Sequence, residues 1–200
     1  MRRIKLAVLV SAVLGFVFAW SSSMAQSISG TPHDFSGRGW GSTELCIFCH
    51  APHNTNSTVA AAPLWNHAVT AQTFTMYASP TLQATMPSQP AGVSKLCLSC
   101  HDGITAIDLF GTRTGSITIS GGENLGTNLS NDHPIGFPYN AALVGLDSGL
   151  KTPPATLPRF GAAADTLECA TCHNVHNNQL GGFLRSTNAA SALCLQCHNK

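Results

Sequence analysis

The sequence has few charged side chains, few aromatic side chains and, beyond its first residues, no long apolar run. Charged residues make up 10% of the 200 positions and aromatic residues 7%. Glycine and proline, at 18 and 11 residues, together number 29. Such a chain would bury too little apolar surface to offset its conformational entropy, unless a large apolar group served as its core. The composition therefore predicts a loop-rich, mostly irregular fold with little or no sheet.

No stretch after residue 25 is long and apolar enough to cross a bilayer. The one apolar run, Leu6 to Trp20, is shorter than the roughly 20 residues that a spanning helix needs. It follows three basic residues and precedes a small-residue cleavage pattern at Ser23-Met24-Ala25. Residues 1–25 are therefore predicted to be the signal peptide of an exported protein, with 26–200 as the mature domain. A retained N-terminal anchor is the alternative.

Basic charge is not in excess either. When Arg2, Arg3 and Lys5 leave with the signal peptide, seven of the ten basic residues remain against nine acidic ones, so the mature formal charge is about −2. This balance argues against nucleic acid as a partner, because nucleic-acid binding depends on clustered basic side chains. The chain also has no phosphate-binding glycine loop, serine triad or paired-carboxylate constellation.

None of the eight cysteines stands alone, because they form four Cys-x-x-Cys pairs and histidine follows each pair directly. The motifs, numbered in chain order, are Cys46-Ile-Phe-Cys49-His50, Cys97-Leu-Ser-Cys100-His101, Cys169-Ala-Thr-Cys172-His173 and Cys194-Leu-Gln-Cys197-His198. Disulfides or zinc are the alternatives for paired cysteines, but the histidine after every pair favours haem. Residues i, i+3 and i+4 share one face of a helical turn, so both thiols can bond one haem while the imidazole ligates its iron. The sequence predicts four covalently bound haem c groups, with the cysteines as thioether links and the motif histidines as proximal ligands.

Local sequence favours short helices at these motifs. Ser42 is a candidate N-cap for the turn of motif 1, and Asp165 with Glu168 resembles a capping box ahead of motif 3. Alternating apolar and polar residues from Gly115 to Ser120 favour a short strand.

Five histidines remain for the sixth coordination positions of four irons: His33, His53, His67, His133 and His176. His53 and His176 each follow a motif histidine by three residues. Such a span is too short to pass around the macrocycle, so each is expected to ligate a different haem. Met76 and Met86 are the competing ligands and would raise the reduction potential. The supply of histidines favours bis-histidine irons, which have no vacant site for a substrate.

The motifs repeat as two units, residues 33–101 and 133–198, connected by 102–132. By this symmetry His33 would serve the haem of motif 1 and His53 that of motif 2. His133 and His176 would likewise serve motifs 3 and 4. His67 is the less certain fifth candidate. It would bond a propionate or replace one of the other four, and one histidine could be donated to a neighbouring subunit.

The sequence resembles the paired-CxxCH multihaem cytochromes, and among them the small tetrahaem extracellular cytochromes of metal-respiring bacteria. The resemblance is carried by the four motifs and by phrases such as His33-Asp-Phe-Ser, Pro63-Leu-Trp-Asn-His67 and Asn131-Asp-His-Pro134. It implies bis-histidine haems in a continuous stack and a role in electron transfer rather than catalysis. The expected partners are redox proteins or extracellular electron acceptors, in the periplasm or outside the cell. Some members polymerise into conductive filaments through a histidine given across the subunit boundary. A multihaem oxyanion reductase, which needs a five-coordinate haem, is the alternative function.

Overall fold

The computed structural model describes residues 27–60 and 62–199, so the predicted signal peptide lies outside the described residues. Regular secondary structure is sparse and consists of helices α1 (Gly92–His101), α2 (Ala141–Leu146) and α3 (Cys169–Cys172), strands β1 (Phe137–Pro138) and β2 (Thr166–Leu167), and 3₁₀ turns at Gly121–Glu123, Ala189–Ser191 and Cys194–Gln196. The two strands pair antiparallel. The loop-rich fold predicted from composition is confirmed. In the described ranges, no helix combines the length and apolarity that a membrane span requires.

Each motif adopts a turn of helical character, but only two lie in α-helix. Motif 2 ends α1, motif 3 begins with α3, and motif 4 contains the last 3₁₀ turn. Motif 1 is a single turn in which the His50 N–H donates to the Cys46 carbonyl at 2.9 Å. The Ser42 hydroxyl does not cap this turn; it accepts from the Glu44 N–H at 3.0 Å.

The segment from Gly115 to Ser120 forms no strand, so that prediction was wrong. One carboxylate oxygen of Asp108 accepts the N–H groups of Ser116 and Ile117, both at 2.9 Å, and the Ile107 N–H donates to the Ile117 carbonyl at 2.7 Å. An alternating pattern needs a continuous partner strand to form a ladder, and in the described residues this segment has a side chain and one backbone bond in place of such a strand.

Helices α1 and α3 cap each other at their N-termini. The Glu168 carboxylate accepts from the Ser94 N–H in the first turn of α1, and the Ser94 hydroxyl accepts from the Cys169 N–H at the start of α3, both at 3.0 Å. A carboxylate at a helix N-terminus also complements the helix dipole. The predicted box of Asp165 with Glu168 was displaced: Glu168 is the N-cap itself, and its N–H donates to the Thr171 hydroxyl at 3.0 Å. The helices that carry the two central motifs are therefore joined by two bonds, each from a backbone N–H to a side-chain oxygen.

Gly92 makes this junction possible. Its φ is +52°, and a Cβ atom there would lie 2.7 Å from a carboxylate oxygen of Glu168. A side chain would meet both the left-handed backbone penalty and a clash with the cap. Glycine at this position lets the Glu168 carboxylate reach the first turn of α1.

The apolar core is small and divided. One cluster packs Phe137, Tyr139, Leu143 and Leu167 around the β1–β2 pair and α2, and a second packs Phe74, Leu98 and Leu129 against α1. Leu98, which sits between the two cysteines of motif 2, is fully buried. The core thus touches the motifs directly and leaves the rest of the chain as loops around them.

Candidate haem sites

Motif 1 is tied to a loop that comes after it. The Ala51 N–H donates to the Leu64 carbonyl, and the Asn66 N–H donates to the Cys49 carbonyl, both at 2.9 Å. The two bonds form a short antiparallel ladder on either side of the motif histidine, where His50 and Trp65 are bridge partners. The ladder fixes the backbone that carries the imidazole.

The same ladder recurs at motif 3. The Asn174 N–H donates to the Phe183 carbonyl at 2.7 Å, and the Arg185 N–H donates to the Cys172 carbonyl at 2.8 Å. Leu64 and Phe183 hold equivalent positions, and both have a positive φ, of 54° and 55°. A left-handed conformation costs a non-glycine residue roughly 1–2 kcal/mol. Both loops, each of which follows its motif in the chain, share this left-handed bend.

Motif 4 uses the same two bonds with a loop that precedes it. The Asn199 N–H donates to the Gly149 carbonyl at 2.8 Å, and the Lys151 N–H donates to the Cys197 carbonyl at 2.7 Å. The ladder therefore belongs to the motif and not to one direction of the chain.

A backbone carbonyl orients the imidazole at motifs 1, 2 and 3. The Nδ1 atoms of His50, His101 and His173 lie 2.6, 2.7 and 2.8 Å from the carbonyl oxygens of Pro63, Glu123 and Gly182. A carbonyl only accepts, so each Nδ1 carries the proton and each Nε2 keeps its lone pair. This is the tautomer and second-shell bond of a metal-ligating histidine.

Three of the spare histidines face a motif histidine across a constant separation. The ring centroids of His33 and His101 lie 6.2 Å apart, those of His50 and His176 lie 6.2 Å apart, and those of His133 and His198 lie 6.3 Å apart. An imidazole nitrogen bonds a metal at about 2.0 Å and lies about 1.1 Å from its ring centroid, so two imidazoles on one metal ion have centroids about 6.2 Å apart. Each pair therefore has the separation that one iron between two rings requires.

These ring pairs differ from the order expected from the duplication. His33 was expected to serve motif 1 but faces the histidine of motif 2, and His176 was expected to serve motif 4 but faces the histidine of motif 1. His133 was assigned to motif 3 and faces the histidine of motif 4. The expectation that His176 cannot face its own motif histidine agrees with the geometry.

His173 and two spare histidines remain outside these pairs. In residues 27–60 and 62–199, no imidazole faces His173 across such a separation. His53 is exposed, with its Nδ1 atom 3.2 Å from the Asn54 side-chain nitrogen. His67 is only 2% exposed, and its Nδ1 atom lies 2.8 Å from the Ala68 carbonyl oxygen. Its Nε2 atom lies 3.5 Å from the Cys100 sulfur, so His67 borders motif 2.

Burial keeps several of these histidines neutral. It lowers the pKa of His33 to about 4, with smaller contributions from His101 and His176. It also lowers the pKa of His67 and of His176. Only the neutral ring has the lone pair that a metal needs.

The cysteines of consecutive motifs lie next to each other in the structure. Burial raises the pKa of Cys100, and the neighbouring Cys49 thiol adds to that rise. The pKa of Cys97 is raised, first by its side-chain hydrogen bond with Cys169. At the other end, burial and then the nearby Cys197 raise the pKa of Cys172. Motif 1 therefore adjoins motif 2, motif 2 adjoins motif 3, and motif 3 adjoins motif 4.

In the part of the chain that the structure describes, the buried side-chain polar atoms that lack a hydrogen-bond partner lie beside motif residues. They are Nδ1 of His33, Nε1 of Trp65, and Nε and Nη1 of Arg159. The His33 ring faces His101, the Trp65 ring lies 6.4 Å from the His50 ring, and the Arg159 charge acts on Cys197. Buried polar groups are normally paired, so these positions fit a bound group with polar edges. Sequence reasoning missed Trp65 and Arg159; the scarcity of basic residues was the one signal for the arginine.

The described residues offer no ligand cluster for zinc, which was the alternative to haem. In the described part of the chain, no three histidine, cysteine or acidic side chains converge as ligands of one metal ion. No disulfide joins any of the eight cysteines, and burial raises the pKa of Cys49 to about 11.

Residues 161–200 match the family model described as the doubled CXXCH motif, which covers motifs 3 and 4. This doubled motif is typical of multihaem c-type cytochromes. No curated protein matches the chain.

Proposed function

We propose that this chain is an exported tetrahaem c-type cytochrome that transfers electrons and is not an enzyme. The observation that carries the proposal is the set of three imidazole pairs, each joining a motif histidine to a spare histidine at 6.2–6.3 Å. The doubled motif supports covalent haem of the c type. When bound, each haem supplies a one-electron iron couple, and the polypeptide sets its axial ligands, spacing and exposure.

The axial pairs of this proposal are His33 with His101, His176 with His50, and His133 with His198. Their support is the common separation, the carbonyl bonds on His50 and His101, and the burial that keeps His33 and His176 neutral. Two histidines on one iron give a low-spin, low-potential centre. Such a centre exchanges electrons and has no open position for a substrate.

The thiol contacts support a relay in chain order, from the haem of motif 1 to that of motif 4. Cys46 and Cys194, in the first and last motifs, are exposed, whereas the cysteines of motifs 2 and 3 are half-buried. The end haems are therefore the natural points of contact with redox partners or with an extracellular acceptor. The relay would carry charge between them without leaving the protein.

The proposal needs a sixth ligand for the iron of motif 3, and His53 and His67 are the two candidates. His67 is buried next to motif 2, whereas His53 is exposed and within reach of a second molecule. We propose that His53 ligates the iron of motif 3 in a neighbouring copy, so that copies join into a homopolymer. His67 would then bond a propionate.

The same observation favours one alternative function. If no histidine reaches the iron of motif 3, that haem is five-coordinate, as a multihaem oxyanion reductase requires. Chain export, whether to the periplasm or outside the cell, fits either function.

Mass spectrometry of the exported protein tests the haem count. We expect four haem masses added to a chain that starts near Gln26, and free thiols, disulfides or zinc in their place would overturn the proposal. Absorption and electron paramagnetic resonance spectra should show four low-spin irons that bind no carbon monoxide.

The His53→Ala and His67→Ala variants test the iron of motif 3. Ligation between copies is supported if His53→Ala, but not His67→Ala, loses the polymer and gains one binding site for carbon monoxide. The same spectral change in His67→Ala alone would show ligation within the chain. Carbon monoxide binding by the wild type, with nitrite turnover, would favour the reductase.

A further inference from the structure

Arg159 is half-buried, and two nitrogens of its guanidinium lack a hydrogen-bond partner. These atoms, Nε and Nη1, are both buried, and neither has an acceptor. In residues 27–60 and 62–199, no carboxylate forms a salt bridge with it. Buried donors without acceptors are costly, and a hydrogen-bonded anion offsets that cost for a cation. The position therefore fits an anion that the described chain does not supply.

The guanidinium lies at motif 4. Burial raises the pKa of the Cys197 thiol, while the Tyr139 hydroxyl and then the Arg159 charge act in the opposite direction. Burial likewise raises the pKa of Tyr139, and Arg159 again opposes the shift. Arg159 is thus close enough to both side chains for its charge to act on them.

The backbone holds Arg159 in this place. The next residue, Phe160, exchanges two hydrogen bonds with Thr166, at 2.8 and 2.9 Å, beside the β1–β2 pair. Leu157, two residues earlier, is 4% exposed and packs into the protein. A long flexible side chain between two such anchors has little freedom to move to another partner.

Two other donors near motif 4 are engaged. The Lys151 ammonium donates to the Leu195 carbonyl at 2.6 Å, and the Tyr139 hydroxyl donates to the Lys151 carbonyl at 2.7 Å. Among the described residues near this motif, Arg159 is the cation that has two buried donors without an acceptor. A planar guanidinium matches a carboxylate with two parallel hydrogen bonds.

We propose that Arg159 binds a propionate carboxylate of the haem attached at Cys194 and Cys197. The inference rests on the proposed function, because that haem supplies the carboxylate. The pairing compensates a negative charge beside the fourth iron. The uncompensated carboxylate would oppose the arrival of an electron, so Arg159 raises the reduction potential of this haem.

The test compares the haem-loaded wild type with Arg159→Gln, Arg159→Lys and the control Arg113→Gln. Arg113 is exposed and lies over the Phe110 ring at 5.8 Å, so it is a matched arginine without a role at motif 4. Spectroelectrochemistry resolves the haem potentials. In Arg159→Gln we expect one of four couples to become harder to reduce by about tenfold in its equilibrium constant, which is about 59 mV for one electron. Arg159→Lys keeps the charge and should show a smaller shift, and Arg113→Gln should show none.

Four unchanged couples in Arg159→Gln would overturn the inference while leaving the cytochrome proposal intact. A wild type without four haems would instead refute the cytochrome proposal itself. If Arg159→Gln does not accumulate, an experimental structure of the wild-type holoprotein decides. A guanidinium within hydrogen-bond distance of a propionate at motif 4 supports the inference, and one paired with a protein carboxylate or facing solvent overturns it.

Discussion

Replacing His133 by alanine should open one coordination position among the four irons. The His133 ring faces the His198 ring with centroids 6.3 Å apart and planes at 70°. If one iron lies between them, the variant leaves that iron with His198 alone. The other three irons keep their ligands, because His133 faces the histidine of motif 4.

The expected size of this change follows from stoichiometry. About a quarter of the low-spin signal should be lost, and carbon monoxide should bind to about one haem per reduced chain. The cost to folding should be small, since His133 is exposed and its Nδ1 atom makes one hydrogen bond, 2.9 Å long, to the Pro134 carbonyl. Losing such a bond costs about 0.5–1.5 kcal/mol. A spectral change therefore reports ligation and not unfolding.

The assay is electron paramagnetic resonance of the oxidised protein with a carbon monoxide titration of the reduced one. Added imidazole should restore the low-spin signal by filling the open position. Asn131→Ala, a truncation at an exposed position two residues away, is the control and should leave all four irons low-spin. A His133→Ala protein with four low-spin haems and no carbon monoxide binding would refute the reasoning and reduce the ring pair to packing.

Three further predictions concern stability of the haem-loaded protein. Leu98→Ala removes a side chain with 0% exposure and should lower the free energy of unfolding in guanidinium by about 2–5 kcal/mol. The control Leu146→Ala, at a side chain that is 71% exposed, should change it by less than about 0.5 kcal/mol. Equal losses in the two variants would contradict the assigned core. Burial alone would raise the pKa of Asp102, but its hydrogen bonds from the Thr70 and Thr105 hydroxyls and two backbone N–H groups outweigh it and lower that pKa. The stabilising effect of the ionised Asp102 is therefore present above the unfolded pKa of about 3.9 and is lost as pH falls through the folded value. The Asp102→Asn variant should lose about 1–3 kcal/mol of unfolding free energy at pH 7 and less in acid. A loss that does not change with pH would contradict this role. Burial raises the pKa of Glu168 against the Ser94 hydrogen bonds, so its contribution is fully present below the unfolded pKa of about 4.3 and lost as pH rises through the folded value. Melting curves at pH 4 and 7 should show that Glu168→Gln loses less stability than the wild type when the pH is raised from 4 to 7. Equal losses in the two proteins would contradict the raised pKa of Glu168.

The haem motifs and the general character of the fold were readable from the sequence because their causes are local. Cys-x-x-Cys-His places its three functional groups on one turn whatever surrounds it, and the turn at Cys46 forms without an α-helix or the expected Ser42 cap. The shortage of long periodic segments likewise limits regular structure throughout the chain. The capping box was predicted three residues too early: Glu168 is the N-cap, and its partner in the box is Thr171. The Glu168 carboxylate also accepts from Ser94, which lies 74 residues away in the chain.

The pairing of histidines could not be read in the same way. Spacing predicted that His176 would not serve the haem of its own motif, but the choice among the other motifs depends on how the two halves meet. The duplication suggested pairing within each half, whereas the His176 ring faces His50 across the halves. The carbonyl acceptors of the motif histidines were equally hidden, because every residue has a carbonyl and only the loop conformation aims it.

The mutual capping of α1 and α3 has a consequence for how fast charge can move. Tunnelling rates fall steeply with separation, so a relay is most sensitive to its loosest gap. In the proposed relay, two hydrogen bonds hold the gap between motifs 2 and 3: the N–H groups of Ser94 and Cys169 donate to the side chains of Glu168 and Ser94. Both acceptor side chains are buried, so substitutions on the exterior would leave this spacing in place. If charge moves along this relay, its middle step is the one least open to change, and adaptation to new partners would fall to the two ends.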